Sequence, residues 1–114
     1  MKAETFVGLD VHKSIVVATA VDQWGNRLNQ TRFGSSDSEL IAYLRRLPGK
    51  TRVALEATTV WEHFHDAAVT AGAEVVLSNP YKTRLIAEAS LKSDKVDSEA
   101  LATLLRLRAL PQAY

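Results

Sequence analysis

The sequence has no cysteine among its 114 residues, and it contains only three prolines and five glycines. Without cysteine, the chain can form neither a disulfide framework nor a thiolate metal site. It also lacks any stretch close to the roughly 18 apolar residues that a membrane-spanning helix requires. Because no apolar signal region is recognisable in the first residues, we expect a cytoplasmic protein without a membrane partner.

An excess of charge of either sign is absent as well. The chain carries 14 lysines and arginines against 13 aspartates and glutamates, which gives a formal net charge of +1. This balance neither requires nor excludes a nucleic-acid partner, because such binding depends on the local clustering of cations. No repeat, low-complexity tract or linker divides the sequence, so we expect residues 1–114 to form one domain.

What the sequence does contain is a regular succession of strand-like and helix-like spacings of its apolar residues. Residues 5–11, 14–21 and 27–33 are rich in apolar and β-branched residues and predict three antiparallel strands. Helical and strand patterns then alternate: a helix over 36–47, a strand over 51–57, a helix over 59–72, a strand over 74–77, a helical segment over 81–89 and a last helix from Asp94. The order βββαβαβαα, with right-handed crossovers, predicts an α/β fold of the RNase H-like kind. Its sheet would be mixed and five-stranded, with helices on its faces.

Two carboxylates occupy unusual places in the predicted strands. Asp10 interrupts an otherwise apolar strand, where a carboxylate is costly to desolvate unless a partner neutralises it. Glu56 lies near the end of the fourth strand, which the fold would place parallel to the first. We therefore expect Glu56 to approach Asp10.

Two further carboxylates open the last helix. Asp94 and Asp97 are three residues apart and share a helical stripe with three leucines, Leu101, Leu104 and Leu105. One interpretation is a helix cap, with Asp94 as the N-cap and both charges favoured by the helix dipole. The other is a metal site, because four gathered carboxylates would repel one another without a hard divalent ion such as Mg²⁺ or Mn²⁺. The residues alone leave both interpretations open.

Three blocks of the sequence resemble a known family. "GLDVHKS" at 8–14, "ALEATTVWEHFHDAAVTAGAEVVLSNP" at 54–80 and "KSDKVDSEALATLLR" at 92–106 are similar to the N-terminal RuvC-like domain of DEDD-type insertion-sequence transposases, which include Piv-type DNA invertases. The resemblance implies an acidic tetrad that binds Mg²⁺ or Mn²⁺ and is catalytic: Asp10, Glu56, Asp94 and Asp97. It also implies a prokaryotic protein.

The same resemblance implies a function and its partners. The domain would contribute metal-dependent cleavage and transfer of DNA strands during transposition or site-specific recombination. The family's C-terminal transposase domain, with its nucleophilic serine, is absent from this chain and would have to be a partner. Some members of the family are guided by a structured RNA, so RNA is a second expected partner.

Two other functions are kept as alternatives. The first is a catalytically incomplete module for nucleic-acid binding and dimerisation. The second is an actin-like phosphotransferase lobe, because "GLDVHKS" opens much as such lobes do. Against the second, residues 11–13 are Val-His-Lys, whereas a phosphate-binding turn there would use a glycine and a small hydroxyl residue.

Several other side chains receive predictions. Five cations near the tetrad are candidate nucleic-acid contacts, with a solvated surface as the alternative: Lys13, Lys82, Arg84, Lys92 and Lys95. His12 is either a neighbour of the metal site or a plain polar residue at a strand end. We predict surface positions for His63 and His65. For Trp24 we predict a packed hairpin tip, with stacking on a nucleic-acid base as the alternative. Leu107 and Leu110 lie off the main apolar stripe of the last helix, which predicts a homo-oligomer or a docked domain.

Overall fold

The computed structural model describes residues 3–57, 61–91 and 96–113. In these ranges the helices and strands follow the predicted order: β1 (Glu4–Val11), β2 (Ile15–Asp22), β3 (Arg27–Gly34), α1 (Asp37–Arg45), β4 (Lys50–Glu56), α2 (Trp61–Thr70), β5 (Glu74–Ser78), α3 (Pro80–Ser90) and α4 (Ser98–Arg106). None of the helices in this part of the chain is long and apolar enough to cross a membrane.

The sheet has the strand order β3-β2-β1-β4-β5. β1 pairs antiparallel with β2, and β2 pairs antiparallel with β3. β1 and β4 are parallel, as are β4 and β5. The predicted meander and the predicted parallel strands are therefore confirmed, and the carboxyl ends of β1, β4 and β5 meet at one edge of the sheet.

The two faces of the sheet are covered by different helices. Because side chains alternate along a strand, odd-numbered residues of β1 and β4 point to one face and even-numbered residues to the other. The first face packs against α1 and α2 through buried residues, among them Val7, Leu9, Val53, Leu55, Leu40 and Phe64. The second face packs against α4 through a smaller cluster, which includes Phe6, Ala54, Leu101, Ala102 and Leu105.

Helix α4 approaches β1 closely at Gly8. A Cβ atom added to this glycine would overlap the carbonyl oxygen of Ser98 and lie 2.7 Å from the backbone nitrogen of Ala102. The hydroxyl groups of Thr19 on β2 and Ser98 on α4 are buried and form a hydrogen bond of 2.7 Å. These contacts fix the N-terminal end of α4 against the β1–β2 pair.

The predicted start of the last helix is wrong. Val96 and Asp97 are not helical, and α4 begins at Ser98 with Asp97 as its N-cap. The carboxylate of Asp97 accepts a hydrogen bond of 2.9 Å from the backbone nitrogen of Ala100. Asp97 therefore precedes the helical stripe on which it was predicted, and Asp94 lies outside the described residues.

The packed position predicted for Trp24 is also wrong. Trp24 is 68% exposed in the turn between β2 and β3. The turn is formed by Asp22, whose carboxylate accepts hydrogen bonds from the backbone nitrogens of Trp24 and Asn26. Because this polar network makes the turn, its conformation does not require burial of the indole ring.

The segment after α4 returns to the sheet, which the sequence did not predict. Leu110 packs against the α4 cluster, whereas Leu107 is 53% exposed. The Pro111 carbonyl then accepts a hydrogen bond from the Asn79 nitrogen, and the Ala113 nitrogen donates to the Leu77 carbonyl. This segment covers the carboxyl end of β5, which is otherwise an edge strand.

Candidate active site

Asp10 and Glu56 lie side by side at the carboxyl edge of the sheet. Their neighbours Leu9 and Leu55 are the last paired residues of β1 and β4, and each carboxylate follows one position later. Both are even-numbered and so point to the face that carries α4. Adjacent strands are about 4.8 Å apart, so the structure brings together the two carboxylates that were predicted from the strands.

The electrostatics of this pair reflect their closeness. Glu56 is half-buried, and its pKa is raised first by burial and then by the negative charge of Asp10. Both carboxylates line a small pocket of about 30 Å³. A carboxylate that loses water and faces a like charge is destabilised in its ionised form, and a cation would relieve that cost.

His12 is a direct neighbour of this pair. Its Nε2 atom lies 3.2 Å from an Oδ atom of Asp10, just beyond the end of β1. The imidazole is 59% exposed, whereas Asp10 is 32% exposed. Of the two predictions made for His12, the neighbour of the site agrees with this contact.

The N-terminal end of α4 faces the same edge. Ser98, at the start of α4, lies over Gly8, and Gly8 precedes Asp10 by two residues on the same face of β1. Leu105, near the end of α4, belongs to the cluster around Phe6. The helix thus runs back from the carboxyl end of β1, and Asp97 precedes it on the side of Asp10. An isolated glycine in a strand indicates close backbone approach, so Gly8 was the sequence signal for this docking.

The complete tetrad remains a prediction. Among residues 3–57, 61–91 and 96–113, no three His, Asp or Glu side chains are close enough together to hold one ion. Asp10 and Glu56 are adjacent and Asp97 caps α4, while Asp94 lies outside the described ranges. The donors present are carboxylate oxygens, which Mg²⁺ and Mn²⁺ prefer. In chemistry and charge, these residues fit a divalent ion.

The predicted nucleic-acid contacts are spread over two elements. Lys13 is exposed in the turn after β1, where it lines a groove of about 260 Å³ with His12 and His63. Lys82 and Arg84 are exposed on α3. Two of the predicted cations lie outside the described residues, Lys92 and Lys95.

The other two histidines make contacts on α2 and α1. His63 is exposed, as predicted, and its Nδ1 atom lies 2.7 Å from an Oδ atom of Asp37 in the first turn of α1. His65 is half-buried and lies 3.2 Å from Asp66. Because these histidines contact Asp37 and Asp66, neither is counted among the candidate metal ligands beside Asp10 and Glu56.

A mixed sheet with the order β3-β2-β1-β4-β5 and helices on both faces has the RNase H-like fold. The structure of T. thermophilus RuvC in complex with a Holliday junction substrate superposes with a TM-score of 0.55 at 12% identity, covering 98% of this chain and 99% of RuvC. A family model for DEDD transposases of the IS110 type matches residues 7–114. The chain belongs to this transposase family.

A second solved structure shows a weaker similarity. The ethanolamine utilization protein EutJ from Carboxydothermus hydrogenoformans is 22% identical, with a TM-score of 0.42. The alignment covers 64% of this chain and 35% of EutJ. A search of curated proteins finds no significant match.

Proposed function

We propose that this chain is the metal-binding catalytic domain of a DNA transposase or recombinase. It would bind DNA and contribute Mg²⁺-dependent cleavage and transfer of phosphodiester strands. The observation that carries the proposal is the pairing of Asp10 and Glu56 at the carboxyl edge of the sheet, beside the N-terminal end of α4. Membership in the transposase family supports the same function and favours it over a phosphotransferase lobe.

In this proposal the metal is held by two groups of ligands. Asp10 and Glu56 come from adjacent strands, and Asp94 and Asp97 come from the segment before α4. When bound, divalent ions would activate a water or hydroxyl and stabilise the leaving oxygen of the phosphodiester. Strand pairing supports the positions proposed for Asp10 and Glu56. The contacts of α4 with Gly8 and Thr19 support the position proposed for Asp97.

The proposed substrate is DNA, held partly by cations near the site. Lys13 follows the strand that carries Asp10, and Lys82 and Arg84 are exposed on α3. Such contacts would offset the repulsion between the phosphate backbone and the carboxylates. Because RuvC was solved with a Holliday junction, branched DNA is the first substrate to test.

A guide RNA, a homo-oligomer and the C-terminal transposase domain stay predicted partners, and a cytoplasmic location stays a prediction.

One observation favours the catalytically incomplete binding module as a second candidate. The Asp97 carboxylate already has a structural partner, the backbone nitrogen of Ala100 at the start of α4. A helix cap explains an aspartate at this position without any metal. If capping is its whole role, the chain binds nucleic acid and partners but does not complete a metal site.

The first experiment is thermal unfolding with and without Mn²⁺. Saturating metal at 100 times its dissociation constant should stabilise the wild type by about 2.7 kcal/mol. Asp10→Asn should lose this shift because it removes one ligand. Asp66→Asn is the matched control, since its carboxylate is exposed on α2 and 81% accessible, and it should retain the shift.

DNA cleavage then separates the two candidates. Cleavage of branched or duplex DNA in Mg²⁺, abolished in Asp10→Asn, would support the catalytic domain. Binding of DNA without cleavage, and without any Mn²⁺ shift in the wild type, would support the binding module instead.

A further inference from the structure

Strand pairing continues the row of carboxylates across the sheet. Asp10 pairs with Val17 on β2, and Val17 pairs with Arg32 on β3. Paired residues point to the same face of a sheet. Glu56, Asp10, Val17 and Arg32 therefore form one line across four strands, which we call the site row.

Side-chain contacts confirm that Arg32 points to the face that carries α4. Two residues earlier on β3, Gln30 donates a hydrogen bond of 3.0 Å to Thr19, which in turn contacts Ser98 of α4. The odd-numbered neighbour Phe33 packs on Tyr43 of α1, on the opposite face. By the alternation of a strand, Arg32 shares the face of Gln30.

Helix α4 leaves the site row uncovered. Its first residue contacts the preceding row at Gly8 and Thr19, and the helix then runs away from the carboxyl edge. Arg32 is exposed and has no ion pair with another described residue. By contrast, Arg27 at the other end of β3 lies 3.2 Å from Glu99 of α4.

We propose that Arg32 is a DNA-positioning residue, which binds a backbone phosphate next to the one held at Asp10 and Glu56. This inference rests on the proposed function. The backbone of Arg32 lies two strand spacings from Asp10, or about 10 Å, and Val17 between them is half-buried. A nucleic-acid strand that crosses the site row therefore meets the carboxylates at one end and a guanidinium at the other.

The guanidinium chemistry suits this role. Arginine stays charged at all working pH values and binds phosphate through a planar pair of N–H donors. Arg32 is exposed on an edge strand, so none of the described helices or strands shields its side chain from solvent. A contact with phosphate would position DNA without reading its sequence.

The test is the salt dependence of DNA binding by the full chain. Affinity for a fluorescein-labelled duplex of mixed sequence is measured by anisotropy at several KCl concentrations and constant Mn²⁺. Loss of one phosphate contact lowers the slope of log K against log salt by about 0.9, so between about 50 and 200 mM KCl the wild type should weaken about 3.5-fold more than Arg32→Gln.

Two variants serve as controls. Arg27→Gln removes a cation from the same strand and face, but from the far end, so its slope should equal that of the wild type. Arg32→Lys keeps a phosphate-binding charge and should restore most of the slope. A cation that serves only to discourage edge-to-edge pairing would leave the slope unchanged in all three variants.

The outcomes distinguish this inference from the function on which it rests. If the wild type binds DNA and Arg32→Gln has the same salt slope as the wild type, the role of Arg32 is overturned and the proposed function stands. A wild type that binds no DNA would overturn both. A reduced slope in Arg32→Gln alone supports the inference.

Discussion

The Glu56 carboxyl group is placed where ionisation is unfavourable. It is half-buried at the end of β4, and burial together with the charge of Asp10 raises its pKa. Perturbed groups of this kind concentrate at functional sites, although structural clusters produce them too. In the absence of metal, the ionised side chain therefore costs stability.

We predict that Glu56→Gln stabilises the metal-free protein increasingly as the pH rises. Because the pKa of Glu56 is raised in the folded state, this side chain contributes most to the stability of the wild type below its unfolded pKa of about 4.3. It loses stability as the pH rises through the higher folded value. The amide has no such loss. Urea unfolding from pH 4 to pH 7 in EDTA should show a growing difference between the variant and the wild type.

The matched control for this prediction is Glu88→Gln, which alters an exposed glutamate on α3. Its difference from the wild type should change little over the same pH range. A Glu56→Gln difference that is constant with pH would contradict the prediction and remove the electrostatic argument for a cation beside Asp10.

At the scale of the element, Asp97 has both a structural role as the N-cap of α4 and a proposed chemical role. The carboxylate caps the helix through Ala100, and in the proposed function it also binds metal. Asparagine caps a helix about as well as aspartate does, whereas alanine does not. The two roles can therefore be separated by two substitutions at one position.

We predict that Asp97→Asn has near wild-type stability without metal but a smaller stabilisation by Mn²⁺. Asp97→Ala should lose about 0.5–2 kcal/mol of stability even without metal, because the cap is removed. Thermal and urea unfolding with and without Mn²⁺ would measure both effects. If Asp97→Asn kept the full Mn²⁺ shift, Asp97 would be a cap alone.

Most of the elements could be predicted because their signals are local. The apolar run around Asp10 specifies a strand. The sequence Ser36-Asp37-Ser38-Glu39 has the form of a capping box and specifies the start of α1. The start of α4 could not be predicted because Asp94 and Asp97 are equivalent N-cap candidates by sequence. Contacts of Ser98 with Thr19 and Gly8, distant in sequence, place the boundary.

The site was partly predictable for the same reason. A lone carboxylate in an apolar strand identified Asp10, and the parallel pairing expected from the βαβ order placed Glu56 beside it. Arg32 was missed because its position depends on the register of two strand pairs. On its own, β3 alternates polar residues and gives no sign of which face the arginine occupies.

At the scale of the whole molecule, the two apolar clusters share the same strands. β1 contributes Val7 and Leu9 to one face and Phe6 to the other, and β4 does likewise with Val53 and Ala54. Removing either set of helices would expose one face of both strands. The two faces are therefore expected to unfold together.

We predict one cooperative thermal transition for the metal-free chain. Its calorimetric enthalpy should equal the van't Hoff enthalpy and amount to about 80 kcal/mol near 60 °C, from about 0.7 kcal/mol per residue. Differential scanning calorimetry would measure both quantities. A separate early transition that disappears on substitution of Ser98 by alanine would show instead that α4 undocks independently.

The contact between Thr19 and Ser98 also sets the order in which the chain can assemble. These residues are 79 positions apart, whereas each strand of the β1–β2–β3 meander closes onto the next through a short turn. Closing a long loop costs more chain entropy than closing a short one, so the meander should form early and α4 should dock late. During synthesis on the ribosome, the strand that carries Asp10 is therefore expected to form before the segment that carries Asp97 emerges. In the proposed function, the metal site would thus be completed only when α4 docks, and an unfinished chain would lack it.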